Sequence, residues 1–491
     1  MAAGLIASLS LRPAGWCPMV PLFMPTRPLA RFRQRLQAFW VSRTPPQIFV
    51  GSFLLLIALG TLGLMTLPGL YTGPGLSGLD ALFTATSAVC VTGLIVVDTA
   101  TYFTGWGQAF LLLLIQLGGL GIIAFTSYIL LSLGVRLPLH HEALSRTPAD
   151  IAPHVDYASL GRNVVRFTLI IEVIGALSLY VLWLPRFGEI GALWPAVFHA
   201  VSAFCNAGFS TFSDSLMGFQ QSPGTLLVVM SLIVLGGIGF LTLEESYLMT
   251  VKRPARRIQL SLHSRIVLGA TAVLLVGGWG LFTLFEWQVA LAGLPWWDRL
   301  TNGLFLSVTA RTAGFNTVDY AQATDGSNFL TVLFMSIGGS PSSTAGGLKT
   351  TTIAIIGLLA LSRVRGYDAT LFQGRTVPPE TVQRAIGLFV FAFGVVATAI
   401  LVFSASEIAW VPASQTGGQF LQYMFEAASA FNTVGLSMGV TGDLSALGRG
   451  VTIALMFIGR VGPFTLAAAL LTRHRLADHR FRYAYEDVAI G

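Results

Sequence analysis

Charge is what this chain has least of: among 491 residues only 10% are Asp, Glu, Lys or Arg. A soluble chain needs roughly 25% to cover its surface, so a soluble domain or a string of them is excluded. Cysteine is nearly as scarce. Cys17, Cys90 and Cys205 show no metal-ligand spacing, which argues against a disulfide framework and a metal centre. A phosphate-binding GxxxxGK[ST] loop is missing as well. The stretch before Lys349 is rich in glycine but wrongly spaced, so nucleotide control would have to come from a partner. The clustered acids and histidines of a membrane-embedded enzyme, a lipid-modifying transferase for example, shrink to His140-His141-Glu142. That run lacks a catalytic or metal-binding context, and the chain is read as a non-enzyme. A positively charged start is lacking too, so residues 1–45, with Arg27, Arg31, Arg33, Arg35 and Arg43, read as a cytosolic arm rather than a signal peptide; Met19 and Met24 are alternative starts.

What the chain has is apolar length. Hydrophobic residues make up 54%, the mean hydropathy is +0.72, and the reading is an all-α polytopic membrane protein. A net charge of +7 could suggest nucleic acid, but the basic residues sit in short loops between apolar runs and so report membrane orientation. Arg136, Arg146 and Arg162, then Lys252, Arg253, Arg256, Arg257 and Arg265, then Arg363, Arg365, Arg375 and Arg384, follow the even-numbered spans. With Arg473, Arg475, Arg480 and Arg482 in the tail, they place both termini in the cytosol.

A fourfold repeat organises the rest. Its markers are Ser87-Ala88-Val89-Cys90-Val91-Thr92-Gly93-Leu94, Ser202-Ala203-Phe204-Cys205-Asn206-Ala207-Gly208-Phe209, Thr309-Ala310-Arg311-Thr312-Ala313-Gly314-Phe315 and Ser429-Ala430-Phe431-Asn432-Thr433-Val434-Gly435-Leu436. Their glycines lie 115, 106 and 121 residues apart (208 − 93, 314 − 208, 435 − 314). Before each glycine runs an apolar segment half the length of a span (79–90, 194–205, 300–310, 420–431), flanked by full spans at 47–67 and 106–133, 164–184 and 225–249, 266–285 and 329–361, 385–404 and 451–471. Eight spans and four re-entrant half-helices follow. The chain divides as arm 1–45, repeats 46–135, 163–250, 265–361 and 385–472, and tail 473–491, with helix, pore loop and helix in each repeat around a central pore.

Irregular backbone at membrane depth survives only where protein buries it or it lines water. Four such loops therefore need a shared reason. Glycine reaches positive φ, so consecutive carbonyls of Val91, Thr92, Gly93, of Asn206, Ala207, Gly208, of Thr312, Ala313, Gly314 and of Thr433, Val434, Gly435 can face one axis and replace a cation's hydration shell. The half-helices aim their negative ends at the same place. Close helix packing is the simpler reading for Gly118, Gly119, Gly121, Gly236, Gly237 and Gly239, which lie inside full spans. Asp98, Asp214, Asp319 and Asp443 follow the four glycines at similar offsets, either as a ring that concentrates cations or as ordinary turn caps.

Two further features lie at membrane depth. The sixth span is interrupted from Gly338 to Thr352, and the glycines Gly338, Gly339, Gly346 and Gly347 around Pro341, followed by Lys349, make an intramembrane gate the sharp reading against a packed kink. Arg460 sits ten residues into the eighth span, either as a barrier to cations or as a structural group on helix carbonyls. Glu426 and Arg311 are expected to brace one another or the backbone behind the loops, and Glu172, Glu244 and Glu245 to pair with arginines.

The repeat resembles the Trk/Ktr/HKT superfamily of potassium transporters on Ala207-Gly208-Phe209, Arg311 to Asn316, Thr433 to Leu436, the broken sixth span and Arg460. Lacking an extra pair of spans, the chain is more similar to the Ktr-type subunit. The resemblance implies potassium uptake in a bacterial cell membrane through four loops with glycine at each, with a sodium-selective or ion-coupled transporter as the alternative. It implies a gating loop and an arginine barrier, a homodimer, and cytosolic nucleotide-binding (RCK/KTN-type) regulatory subunits. No covalently bound cofactor is expected; potassium at the loop carbonyls, with sodium as second candidate, is the transported ion. Cys90-Val91 makes the first loop the least family-like.

Overall fold

The structure, a computed structural model, describes residues 44–132, 157–250, 260–408 and 417–471. The chain divides into two units, Met1–Thr44 and Pro45–Gly491, and the second is the one described. The arm, the tail, His140-His141-Glu142, Cys17 and the basic residues 136, 146, 252, 253, 256, 257 and 473–482 lie outside the described residues.

One order of elements recurs. First come α1 (Pro45–Thr66), α2 (Gly78–Val89), the single-turn α3 (Thr99–Tyr102) and α4 (Gly105–Ser132). Proline opens α1, where its missing N–H is harmless. Ser77 caps α2 by accepting from the Asp80 amide, and Asp80 itself lies in the first turn, where a helix favours negative charge. Next is α5 (Tyr157–Phe204), two helices joined end to end at Gly188, whose φ of 72° and ψ of 175° no helix contains. Beyond it, α6 (Pro223–Gly237) and α7 (Phe240–Thr250) meet at 102°. The third set is α8 (Leu262–Glu286), α9 (Trp296–Thr309), α10 (Asp325–Met335) and α11 (Thr350–Val364). The fourth is α12 (Pro379–Ser406), α13 (Gln419–Phe431), α14 (Ala446–Val461) and α15 (Pro463–Leu471), the last two at 92°.

The long helices are outside and the short ones inside. In the apolar stretches of α1, α5, α8 and α12 only 33%, 28%, 28% and 17% of residues are buried, because apolar side chains facing lipid need no cover. The C-terminal ends of α2, α9 and α13 are buried throughout, at Phe83–Val89, Phe305–Thr309 and Phe425–Phe431. Among the described residues, four helices are long and apolar enough to cross a membrane, or six when each bent pair is one span.

Three departures from the sequence reading have local causes. The spans expected at 225–249 and 451–471 are broken: Gly239 (φ 95°) turns the first, and Gly462 (φ 86°) followed by Pro463 turns the second. The break was expected in the sixth span alone. The second half-helix starts directly at Gly188, with no separate loop before 194. Between α11 and α12 lies a small hairpin, β1 (Leu371–Phe372) paired antiparallel with β2 (Arg375–Thr376), turned by Gln373 and Gly374 at φ 47° and 73°.

Candidate functional site

Each short helix ends in the same unusual way. The residue two before each marker glycine is left-handed without being glycine: Val91 (φ 56°), Asn206 (57°), Thr312 (65°) and Thr433 (51°). In three loops the cause is a Schellman ending. Thr92, Ala207 and Val434 donate to the carbonyls of Ser87, Ser202 and Ser429, while Val91, Asn206 and Thr433 donate to Ala88, Ala203 and Ala430. The third loop is one residue tighter, Ala313 donating to Thr309 at 3.1 Å. Three of the four left-handed residues are β-branched, a conformation that costs about 1–3 kcal/mol and persists only when the surroundings dictate it. The marker glycines Gly93, Gly208, Gly314 and Gly435 then take φ of 97°, 69°, 81° and 90°.

These glycines close a ring. A Cβ on Gly93 would lie 3.2 Å from the Gly208 Cα, one on Gly208 would lie 2.8 Å from the Gly314 Cα, one on Gly314 would lie 3.4 Å from the Gly435 Cα, and one on Gly435 would lie 3.0 Å from the Gly93 Cα. No side chain fits at any of the four. The hydroxyl that opens each marker holds its loop: Ser87 and Ser429 accept from the amides of Gly93 and Gly435 at 3.1 Å, and Ser202 and Thr309 donate to the carbonyls of Phe209 and Phe315 at 2.7 and 2.5 Å. These four hydroxyls are site residues that sequence reasoning passed over, although their recurrence at the head of each marker was a signal. The hydroxyls of Thr92, Thr312 and Thr433 are buried without a hydrogen-bond partner in the described structure.

The interrupted segment lies against this ring. Residues 336–349 join α10 to α11 without helix, and a Cβ on Gly347 would meet Asn432 at 2.6 Å, three residues before Gly435. Ser340 donates to Gly237, Thr344 to Gly236 and Gly347 to Gly459, at 2.9, 3.2 and 3.1 Å. Thr350 closes the segment on itself, its amide donating to Gly339 at 3.0 Å and its hydroxyl to Gly338 at 2.6 Å. Lys349 precedes α11 and donates from Nζ to Ala345 at 2.7 Å. Arg460, only 3% exposed, donates to the carbonyls of Thr344 and, at 2.8 Å, Gly118. No carboxylate lies within ion-pair distance of it among the described residues. The expected gate residues are thus brought together: the segment is tied directly to α6 and α14, and Arg460 of α14 bridges it to α4.

The glycines assigned to helix packing divide. Gly118 and Gly236, together with Gly459, which the sequence reading did not single out, abut the last turn of a half-helix, where an added Cβ would lie 2.7, 3.0 and 2.7 Å from the carbonyl carbons of Val89, Phe204 and Phe431. Gly119 faces the Cys205 sulfur and Gly237 the Asn206 amide, at 2.8 and 3.3 Å, whereas nothing lies within 4 Å of Gly121. Gly239 is both the bend, with φ 95°, and a close-packing position, where an added Cβ would lie 2.5 Å from the Pro341 carbonyl oxygen.

Other expected partnerships change. Glu426 does not meet Arg311; it accepts from Ser437 and Thr441 at 2.8 and 2.7 Å. The Arg311 guanidinium lies 3.4 and 3.5 Å from the hydroxyls of Thr271 and Thr350. Glu172 accepts from Gln116 rather than from an arginine, at 3.1 Å, and Glu245 accepts from Ser261 at 3.0 Å. Glu244 accepts from Asn163 at 3.1 Å. Of the four acids, Asp98 and Asp319 are turn caps, accepting from the amides of Ala100 and Ala321 at 3.0 Å each, while Asp214 and Asp443 are exposed. Burial pushes the Asp98 carboxyl up, but hydrogen bonds from Ser213, Thr101 and Ala100 outweigh it and hold the group below the usual range. No group of three or more His, Cys, Asp or Glu able to hold a metal occurs among the described residues.

The family model described as "TrkH: Cation transport protein" matches residues 22–476. The potassium/sodium uptake protein NtpJ of Enterococcus hirae is 37% identical over 94% of this chain and 99% of its own. The Ktr system potassium uptake protein B of Bacillus subtilis is 37% identical over 92% and 98%. The crystal structure of the potassium transporter TrkH from Vibrio parahaemolyticus superposes with a TM-score of 0.69, covering 87% of this chain and 85% of that one at 22% identity, a likeness of fold.

Proposed function

The chain belongs to the TrkH family of cation transport proteins, and from that premise we propose that it is a multi-pass bacterial membrane protein that takes up potassium through the ring of four glycine loops. The observation that carries this reading is the ring itself, four left-handed residues each followed two positions later by a glycine that touches the next loop. Strained backbone repeated four times at the ends of buried helices supports a shared task rather than chance packing. The carbonyls of residues 91–93, 206–208, 312–314 and 433–435 coordinate the ion in place of its water, and the C-terminal ends of α2, α5, α9 and α13 add negative potential there. An anion gains nothing from either effect.

Below the ring, Gly338, Gly339, Gly346, Gly347 and Lys349 form the gate, held shut by Arg460. Its charge, bound to carbonyls and matched by no acid among the described residues, repels cations on the path until the segment 336–349 moves. Glycines on both sides of Pro341 give the segment the freedom to do so. The subunit works as a homodimer under cytosolic nucleotide-binding regulatory subunits, with both termini in the cytosol. The Ktr names of the Bacillus relatives support a multi-subunit system. The name of the Enterococcus relative favours a second reading, in which sodium is carried too.

Complementation of a potassium-uptake-deficient strain at low potassium tests the proposal. Growth is expected with the native chain and none with Gly314→Asp; growth with both, or with neither, overturns it.

A further inference from the structure

Two of the four loops carry a brace that the other two lack. In the second loop His199 lies nine residues before Gly208 and meets Ser210, two residues after it, at 2.9 Å. In the fourth, Glu426 lies nine residues before Gly435 and meets Ser437, two residues after it, at 2.8 Å. The match extends to the turn. Ser210 accepts from the amide of Phe212 at 3.0 Å, and Ser437 accepts from the amide of Gly439 at 3.1 Å, so in both loops one hydroxyl joins the buried helix to the chain leaving the ring.

The hydrogen-bond roles are determined. His199 Nδ1 lies 2.8 Å from the Pro195 carbonyl and must be the donor there, which lets Nε2 of the neutral ring accept from Ser210. Glu426 accepts from Ser437 at one oxygen and from Thr441 at the other. Both side chains are fully buried, so neither can exchange its partner for water without opening the fold.

The same two positions read differently in the remaining loops. They are Thr84 and Ile95 in the first and Phe305 and Asn316 in the third, where Asn316 donates to Val318 instead. Around the ring each glycine touches its neighbour in the order 93, 208, 314, 435, so the braced loops face one another across the axis and the unbraced ones do the same.

We infer that His199 and Glu426 are positioning residues that fix the outer edges of two opposing loops, and so determine how sharply the ring separates potassium from the smaller sodium. The inference rests on reading the ring as the ion path. The chemistry is geometric: a ring of carbonyls discriminates by size only while its walls cannot move inward, and the brace is what resists that movement on one diagonal. The other diagonal lacks this link and is held by the glycine contacts, the Ser87 and Thr309 hydroxyls and, in the third loop, the bonds of Asn316 with Ser215 and Leu216.

The test uses full-length protein in liposomes, with potassium and sodium uptake measured side by side. Glu426→Ala and Ser437→Ala should each raise sodium uptake relative to potassium on the order of fivefold, the factor that the loss of about 1 kcal/mol of hydrogen bonding gives. Their double variant should add little, since both remove one link. Glu426→Gln keeps an acceptor for Ser437 and should stay close to the native ratio. Ser210→Ala gives the same reading for the second loop if Glu426→Ala does not fold. An unchanged ratio in Ser437→Ala and Ser210→Ala, with Gly435→Ser altering it, overturns the brace while leaving the ring in place. An unchanged ratio in Gly435→Ser as well overturns both. A fall in melting temperature with no change in ratio assigns a merely structural role and also overturns the inference.

Discussion

A single methyl group separates the glycines that matter from those that do not. Adding a Cβ at Gly459 drives it into the last turn of α13, where Phe431 backbone cannot yield, and overpacking of this kind costs about 1–3 kcal/mol. At Gly121 the space is open. Gly459→Ala is therefore expected to lower the melting temperature in detergent by several degrees and Gly121→Ala to leave it within about a degree of the native value; equal effects would contradict the packing. Asp98 makes a second prediction at this scale. Its carboxyl, held below the usual range by Ser213, Thr101 and Ala100 against the effect of burial, stabilises the fold in its charged form. That contribution is present above the unfolded value of about 3.9 and is lost as pH falls through the lower folded value. The stability gap between native protein and Asp98→Ala should persist at pH 6 and vanish in strong acid.

The decisive element is the segment between α10 and α11. It forms no helix because Gly338, Gly339, Pro341, Gly346 and Gly347 leave no run of helix formers, and the amides of Ser340, Thr344 and Gly347 are satisfied by the carbonyls of Gly237, Gly236 and Gly459. Those acceptors exist because α6 and α14 break or narrow at glycine. Removing residues 340–344, or making Arg460→Ala, should raise basal ion flux through the reconstituted protein. A fall in flux with the fold intact would argue against a barrier.

Across the whole molecule the ring must close between the last unit and the first. Gly435 touches Gly93 at the axis, and at the rim Arg449 of α14 pairs with Asp80 of α2 while also donating to Gly442 at 2.9 Å. Both side chains of the pair are about four-fifths buried, where removing one partner strands the other charge and costs more than breaking an exposed pair. Arg449→Met and Asp80→Asn should each lower the melting temperature, with a double-mutant coupling of at least ~1 kcal/mol; additive losses would show that the ends are joined by packing alone.

Much of this was legible in the chain itself. The four markers, the half-length segments before them, the interruption before Lys349 and the lone Arg460 follow from hydropathy and spacing, because lipid penalises an exposed peptide group or charge heavily enough to leave its mark on sequence. Tertiary structure alone decided the bends at Gly239 and Gly462, the separation of Glu426 from Arg311, and the turn-capping roles of Asp98 and Asp319. It also decided the pairing of Glu426 with Ser437 and of His199 with Ser210. Those outcomes depend on which donor and acceptor meet in space, as Glu426 and Ser437 do eleven residues apart, or on the local sign of φ, and a hydropathy pattern carries neither.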